Sequence, residues 1–448
     1  MGQQAALPED SISQPRVVAM QPSLVRYQVL AAACVCAFIA YIHRVGFASA
    51  VVLQDDLGLN SERWGYLMGA FLLAYGGLEI PWGLFGDRWG ARHLLTLIVL
   101  ASGVLTAGTF LATGLSGVAL YGTAPFVVLL VIRFLFGGFQ AGMFPTISRM
   151  MADWMPIQER ATAQGLIWMC SRVGGAVAPF FMTFLIGVLG GWKIAFLFAG
   201  LLGLLWCIVF WPWFRNQPEE MRQVNGAEIQ VIQTGRTSRP AAHGNVPWAK
   251  ILRSRSVWSL CLMYGCGGFA ANFFVTTLPS YLTSHRHLSP GTKDLLTSLP
   301  LACGIVGCVL GGFFSDWIIR TTGNRKWGRR LNGTIGTVTA GVAFLGINYV
   351  SQTWALALLL CLIFFCNDLG MGPAWASCAD VGRRYAGTIG GAMNMVGNLA
   401  GAVGQSMAGV LFAYGYHNLV FVIFGCSFFL GTLCWQGVDV TRPVEPDE

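Results

Sequence analysis

Charge is scarce in this chain of 448 residues: Asp, Glu, Lys and Arg together make up 11% of it, less than half the share of about 25% found in soluble domains. A surface so poor in charge cannot face water throughout, so much of it must face lipid. Metal chemistry lacks its usual marks. The thirteen cysteines form no C-x-x-C pair and no His/Cys cluster with ligand spacing. They lie in or at the edges of apolar stretches, where cysteine serves as a small hydrophobe. No metal or other cofactor is expected. A Walker-type phosphate loop is missing, which argues against ATP as an energy source. No Ser, His and Asp are spaced as a nucleophile and its base, so an enzyme is not expected. The opening MGQQAALPEDSISQP has no apolar signal core and reads as a disordered tail.

Apolar sequence is abundant instead. Hydrophobic residues make up 55% of the chain, and its mean hydropathy is +0.59. A membrane-crossing helix needs roughly 20 apolar residues. Twelve stretches qualify, at about 27–53, 62–86, 93–115, 126–151, 161–189, 192–214, 256–283, 293–320, 331–350, 353–377, 386–415 and 418–438. They are long and continuous, without strict alternation, which predicts helices rather than barrel strands. The expected fold class is all-α integral membrane: twelve transmembrane helices in two six-helix repeats. The expected order is an N-terminal tail (1–26), a first bundle (27–214), a polar linker (215–255), a second bundle (256–438) and a C-terminal tail (439–448). The repeat is visible in the residues. GLFGDRWGAR at 83–92 returns weakly as GFFSDWIIR at 312–320, each after the second span of its half. MADWMPIQER at 151–160 is echoed by CADVGRRYAG at 378–387. Repeated halves of six helices are the construction of alternating-access transporters, with the site between them.

The net charge of +8 is explained by topology. Of the 28 Lys and Arg, 21 fall in loops and tails on the side of the N-terminus. Only Arg63, Lys193, Arg286 and Lys293 fall opposite, while Arg44, Arg133 and Arg172 lie within spans. The positive-inside rule then places both termini in the cytoplasm of a multi-pass cell-membrane protein. No basic stripe is left over, so no nucleic-acid partner is expected. The bilayer is the expected environment and a monomer the expected state.

Arg44, in YIHRVGFASAVV, and Arg133, in FVVLLVIRFLFGGFQ, are the most informative residues. A guanidinium inside a span costs about 2.5 kcal/mol or more, so each must face a polar cavity or a partner. The first span runs outward, with Arg44 about nine residues before its outer end. The fourth runs inward, with Arg133 about seven residues past its outer end. At 1.5 Å per residue both lie roughly 10–14 Å below the outer surface. Two guanidiniums at one depth can clamp an anion bidentately. Tyr41, three residues from Arg44, shares its face. The plainer alternative is that each arginine neutralises a buried acid. Glu79 and Asp368 are the only acids well inside spans, and either could instead pair with Arg172 or carry a proton.

The pattern Gly83-x-x-x-Asp87-Arg88-x-Gly90-x-Arg92 resembles the signature that joins helices 2 and 3 in the major facilitator superfamily. The glycines allow a tight turn and close helix approach. Asp87 can pair with nearby arginines and face a helix N-terminus. With Asp316 in the second copy, these six residues read as a gate latch. Within that superfamily the chain most resembles the anion:cation symporter family of sugar-acid, phosphate and organic-anion carriers, over most of residues 27–438. The resemblance is carried by Tyr41-x-His43-Arg44, AFLLAYGGLEIPWGLFGDRWG, RFLFGGFQAGMFPTISR and PAWASCADVGRRYAGTIGGAMNMVGNLAG. It implies a carboxylate-bearing substrate held by Arg44 and Arg133, with Tyr41, Tyr75, Gln140, Asn272, Trp375 and Asn394 around it.

Two departures bear on energy coupling. His43 stands where the family usually has Asp, and Gln140 where it usually has the Glu associated with proton coupling. Gln140 hydrogen-bonds but cannot titrate. Carriers that remain are His43, Glu79 and Asp368, with Asp368 the better acid, because Glu79 sits in a segment that also builds the inner gate. Lost or altered proton coupling is favoured over a relocated carrier. The function expected is a secondary transporter of small organic anions, with proton or sodium as a candidate driver. An anion facilitator or exchanger without proton coupling is the alternative, followed by a membrane ligand sensor.

Overall fold

The computed structural model describes residues 21–49, 51–114, 123–234, 246–276 and 278–444. Much of the N-terminal tail, positions 235–245 and 445–448, and the side chain of Asn272 lie outside the described residues. The chain is helical, and the helices are as long as the apolar stretches require. The first six are α1 (Val25–Ser49), α2 (Ser61–Trp89), α3 (Ala91–Ala107), α4 (Thr123–Gln140 and Met143–Trp154), α5 (Arg160–Leu189) and α6 (Trp192–Trp213). The second six are α7 (Arg255–Thr276 and Leu278–Ser284), α8 (Pro290–Thr322), α9 (Arg325–Gly346), α10 (Thr353–Leu369 and Met371–Gly382), α11 (Ala386–Ala413) and α12 (His417–Gly437). Nine segments of the described residues are long and apolar enough to cross a membrane. One of them, Thr353–Ala413, contains both α10 and α11; α7 and α9 complete the twelve. The first turns of α9 carry Arg325, Lys326, Arg329 and Arg330, which dilute its apolarity.

The repeat extends to local breaks. α4 and α10 each restart at a glycine, Gly142 or Gly370, with the same backbone angles of φ −79° and ψ −13°. Three residues later each has a proline, Pro145 or Pro373. A proline lacks the N–H that would continue the helix ladder, so the break recurs where the sequence repeats it. Packing follows the same symmetry. α1 lies on α5, α2 on α4 and α3 on α6 in the first half, as α7 lies on α11, α8 on α10 and α9 on α12 in the second. The halves meet along two seams, α2 with α11 and α5 with α8.

Both seams are closest near the face where α1 begins and α12 ends, the terminal face. A Cβ on Gly83 would collide with the Gly387 carbonyl oxygen, and one on Gly312 with that of Ala161. Further along α2, Gly76, Gly69 and Gly65 continue the strip of Gly83 at helical spacing, yet a Cβ there would meet nothing within 4 Å. The bundles are therefore apposed at the terminal face and apart along the far half of this seam. The helix Gly226–Gln233, in the polar stretch between the halves, is half embedded. Its Glu228 is wholly buried and accepts hydrogen bonds from the Arg26 backbone N–H at 3.3 Å and the Arg26 guanidinium at 3.0 Å. That helix thus rides on the start of α1.

Candidate functional site

Arg44 and Arg133 come together around one ring. The guanidinium carbon of each lies 4.8 Å from the centroid of Phe71 on α2, so the two charges are no more than twice that distance apart. Arg44 also faces Tyr41 at 5.6 Å and Tyr75 at 5.0 Å. Arg133, 3% exposed, faces Phe47 at 4.3 Å and Phe136 at 5.2 Å. Aromatic faces attract cations, but they do not cancel a charge or satisfy N–H donors. Among the described residues neither arginine pairs with a carboxylate, and Nε of Arg133 is buried without any hydrogen-bond partner. Neither arginine is ion-paired to an acid, although Glu79 lies near enough to Arg44 for their charges to interact. The result is two positive charges around one ring, one buried and one half-buried, with Nε of Arg133 unused.

The acids are disposed elsewhere. Asp368, wholly buried on α10, takes the third membrane arginine: its oxygens accept from Nε and Nη2 of Arg172 on α5, both at 3.1 Å. Asn367 donates a further bond at 3.0 Å. This bidentate pair crosses the α5–α8 side of the interface between the halves. Glu79 on α2 is also wholly buried, but among the described residues no cation lies within ion-pair distance of it. Its Oε1 accepts from Asn394 at 2.6 Å and from Asn398 at 2.8 Å, both on α11. Asn394 also reaches the Tyr75 hydroxyl at 3.4 Å. The Glu79–asparagine cluster therefore ties the two halves together beside Arg44.

Other sequence candidates have structural partners. Gln140 donates to the Ala40 carbonyl at 3.1 Å and joins α4 to α1. His43 sits with Nε2 2.8 Å from the Ala199 carbonyl of α6. It lines a small pocket with Arg133, Phe47, Thr106 and Thr109. Trp375 is fully buried and donates to the Tyr264 hydroxyl at 3.3 Å. Its ring packs against Phe144 and Trp168, with centroids at 6.0 and 5.7 Å. These four aromatics come from α10, α7, α4 and α5 and form a plug between the halves. Asn272 falls outside the described side chains. Phe71, Asn398, Tyr264 and Trp168 were not singled out in the sequence. All four sit within segments that carry apolar or glycine-rich patterns, and only the pairing of helices reveals them.

The latch residues divide into two groups. Asp87 accepts from the Gly387 and Thr388 backbone N–H groups at 2.9 and 2.7 Å and from the Thr388 hydroxyl at 2.6 Å. It caps the start of α11 in the opposite half. Asp316 does the same for α5, accepting from the Thr162 N–H at 2.7 Å and hydroxyl at 2.8 Å. Among the described residues Asp87 has no arginine within ion-pair distance, although the charge of Arg149 acts on it; a helix N-terminus is its partner. Asp316 has both, since Arg329 donates to it at 2.7 Å. Arg329 continues to Asp380 at 3.1 Å, and Asp380 accepts from Arg160 at 2.6 Å. Gly90, Arg88 and Arg92 do not bridge the halves. Gly90 ends α2 with φ 78°, Arg88 is exposed, and Arg92 donates to the Trp211 carbonyl at 2.9 Å within the first bundle.

Twelve helices in two pseudo-equivalent bundles, closed at one face over a pair of membrane arginines, define a membrane transporter rather than an enzyme. The chain belongs to the Major Facilitator Superfamily, whose profile matches residues 33–405. It is 31% identical over 427 residues to a probable sulfoacetate transporter of Cupriavidus necator, covering 94% of this chain and 96% of that one. It is 29% identical over 396 residues to a probable galactarate/D-glucarate transporter of Escherichia coli, covering 83% and 86%. Among solved structures, the proton:xylose symporter bound to 6-bromo-6-deoxy-D-glucose superposes with a TM-score of 0.72 at 13% identity, covering 93% and 96%. That likeness is one of fold.

Proposed function

We propose that this protein carries small organic anions, sugar acids or short carboxylates and sulfonates, across the cell membrane by alternating access. The observation that carries the reading is the pair Arg44 and Arg133 around Phe71, with Arg133 Nε unused and, among the described residues, no carboxylate ion-paired to either. Two such charges suit a substrate with up to two anionic groups. The relatives named for sulfoacetate and D-glucarate support the same class. We further read the terminal face as cytoplasmic, since the basic residues gather there. In that orientation the structure is closed inward and open outward, and Arg44 and Arg133 await an anion from outside. Tyr41, Tyr75 and Trp375 form the aromatic wall and floor of the site, and Asp87 and Asp316 hold its inner gate.

The test is uptake of labelled sulfoacetate, D-glucarate and D-galactonate by proteoliposomes containing the purified protein. At least one is expected to be taken up, with Arg44→Ala and Arg133→Ala each at background. Normal uptake by either variant would refute the site. An anion bound but never moved would indicate a sensor.

A further inference from the structure

Three ionisable groups inside the spans were open as proton carriers by sequence, and the structure separates them by their partners. Both oxygens of Asp368 are held by Arg172. A carboxylate in a bidentate pair gives up its charge only by breaking that pair. His43 is fixed to the Ala199 carbonyl, which belongs to the same bundle. Glu79 differs from both. It is 0% exposed, its Oε1 bonds only to neutral amides of the opposite half, and its Oε2 is buried with no partner. An ionised carboxylate left this way keeps one oxygen wholly unsolvated. Without a compensating charge nearby, the neutral acid fits the closed seam better.

Glu79 also sits where an anion would be felt. Tyr75 lies one turn before it on α2 and packs on the Arg44 guanidinium. The charged and titratable groups facing this cluster are Arg44 and Tyr41 from α1, Tyr75 from α2 itself, Tyr264 from α7 and Arg133 across Phe71 from α4. From α11 come only Asn394 and Asn398. Arg44 is therefore the nearest source of charge compensation, and it is also half of the anion clamp.

Resting on the anion-transport reading above, we propose that Glu79 is the proton carrier of this transporter. With the site empty, an ionised Glu79 serves as counter-charge to Arg44. When a substrate anion takes Arg44, that compensation is lost and Glu79 binds a proton from the outer solution. The neutral side chain then allows the loaded halves to rock. As the α2–α11 seam opens, Asn394 and Asn398 withdraw, water reaches the carboxyl, and the proton leaves on the inner side with the anion. One proton moves with each anion, and the carrier is on α2 rather than at position 43 or 140.

The linkage has a definite sign. Anion binding promotes protonation, so affinity is highest at low pH and falls as pH rises, by up to about tenfold per unit for one proton per anion. The experiment uses proteoliposomes and whichever of sulfoacetate, D-glucarate or D-galactonate the parent exchanges. Expected for the parent are anion-driven proton influx and a pH-dependent binding affinity measured on the purified protein. In Glu79→Gln both are expected to fall to background, while anion exchange stays measurable. Asp368→Asn should keep the pH slope. Asn398→Ala, which keeps the carboxyl but removes one donor to its charged form, should move the midpoint of the slope to higher pH. Parental proton influx or slope in Glu79→Gln would overturn the proposal, as would a parent that exchanges the anion without moving protons or an unmoved midpoint in Asn398→Ala. In those cases the anion-transport reading stands. A parent that exchanges none of the three anions refutes that reading, and this one with it.

Discussion

Asp87→Asn is the most incisive perturbation of the gate, because it changes one atom and leaves shape intact. The carboxylate accepts three hydrogen bonds at 2.6–2.9 Å, all from Gly387 and Thr388 at the start of α11. Hydrogen bonds to a charged group contribute about 1.5–3 kcal/mol each. The asparagine keeps one acceptor oxygen. Its amide turns a donor toward the Thr388 N–H, so that bond is lost, while the Thr388 hydroxyl can rotate and accept. The interaction of the helix N-terminus with a full negative charge is lost too, at about 0.3–1 kcal/mol. The expected weakening is therefore about 2–3 kcal/mol, a 30- to 150-fold shift toward forms open at the terminal face. Cysteines introduced one at a time near the terminal and distal ends of α2 and α11 would report this as labelling rates. The terminal sites should gain and the distal sites should lose. Thr388→Val removes a single donor and should show a smaller change in the same direction. An Asp87→Asn protein with parental labelling at both ends would refute the latch.

Further outcomes follow from the same contacts. Arg133→Lys should retain no more than a small fraction of uptake, because an ammonium lacks the planar fork and five donors of the guanidinium; uptake at parental rates would count against bidentate holding. Arg172→Ala leaves Asp368 buried and unpaired, which should cost roughly 3–5 kcal/mol, read as a lower melting temperature in detergent. The double change Arg172→Gln with Asp368→Asn should recover much of that loss, and a double variant no more stable than the single one would show that the pair is not the cause. Gly83→Ala places a methyl against the Gly387 carbonyl and should prevent tight closure at the terminal face, raising labelling there as Asp87→Asn does.

Much of the architecture could be read before any coordinates. Twelve apolar runs of sufficient length, and two Asp-bearing turns with the same place in each half, are local properties of the chain. The membrane arginines were legible for a related reason: a charge inside an apolar run is conspicuous whatever it touches. Partners were not legible. On a membrane helix the lipid-facing and protein-facing sides are both apolar, so periodicity does not say which residues meet a neighbouring helix. Asn398 looks like any polar residue of a glycine-rich run until α11 is set against α2 and its amide meets Glu79. Arg172 had two acids open to it by sequence, and only the apposition of α5 with α10 assigns it Asp368. Gln140 stands at a position associated with substrate and protons, yet its amide is spent on the Ala40 carbonyl. α9 illustrates the converse, a crossing helix whose basic first turns mask its length.

The two copies of the latch are alike in outline and unlike in charge. Each aspartate caps the helix that begins across the seam, so each resists separation of the halves at the terminal face. Asp87 does this through neutral donors, with the charge of Arg149 nearby. Asp316 does it within a buried chain of charges that runs through Arg329 and Asp380 to Arg160. Arg329 is 0% exposed and also donates to the Ile157 carbonyl at 2.8 Å. Its removal would take a cation from two buried carboxylates at once, leaving Asp316 with Thr162 and Asp380 with Arg160. The α5–α8 seam is therefore the one whose opening must move a connected set of ions. The α2–α11 seam is held by neutral donors on Asp87 and by amides on Glu79, and it can part without stranding an unpaired cation. If the halves rock by loosening one seam first, the physical cost falls lowest on the seam that also carries Glu79, so proton release and inner opening would be one event.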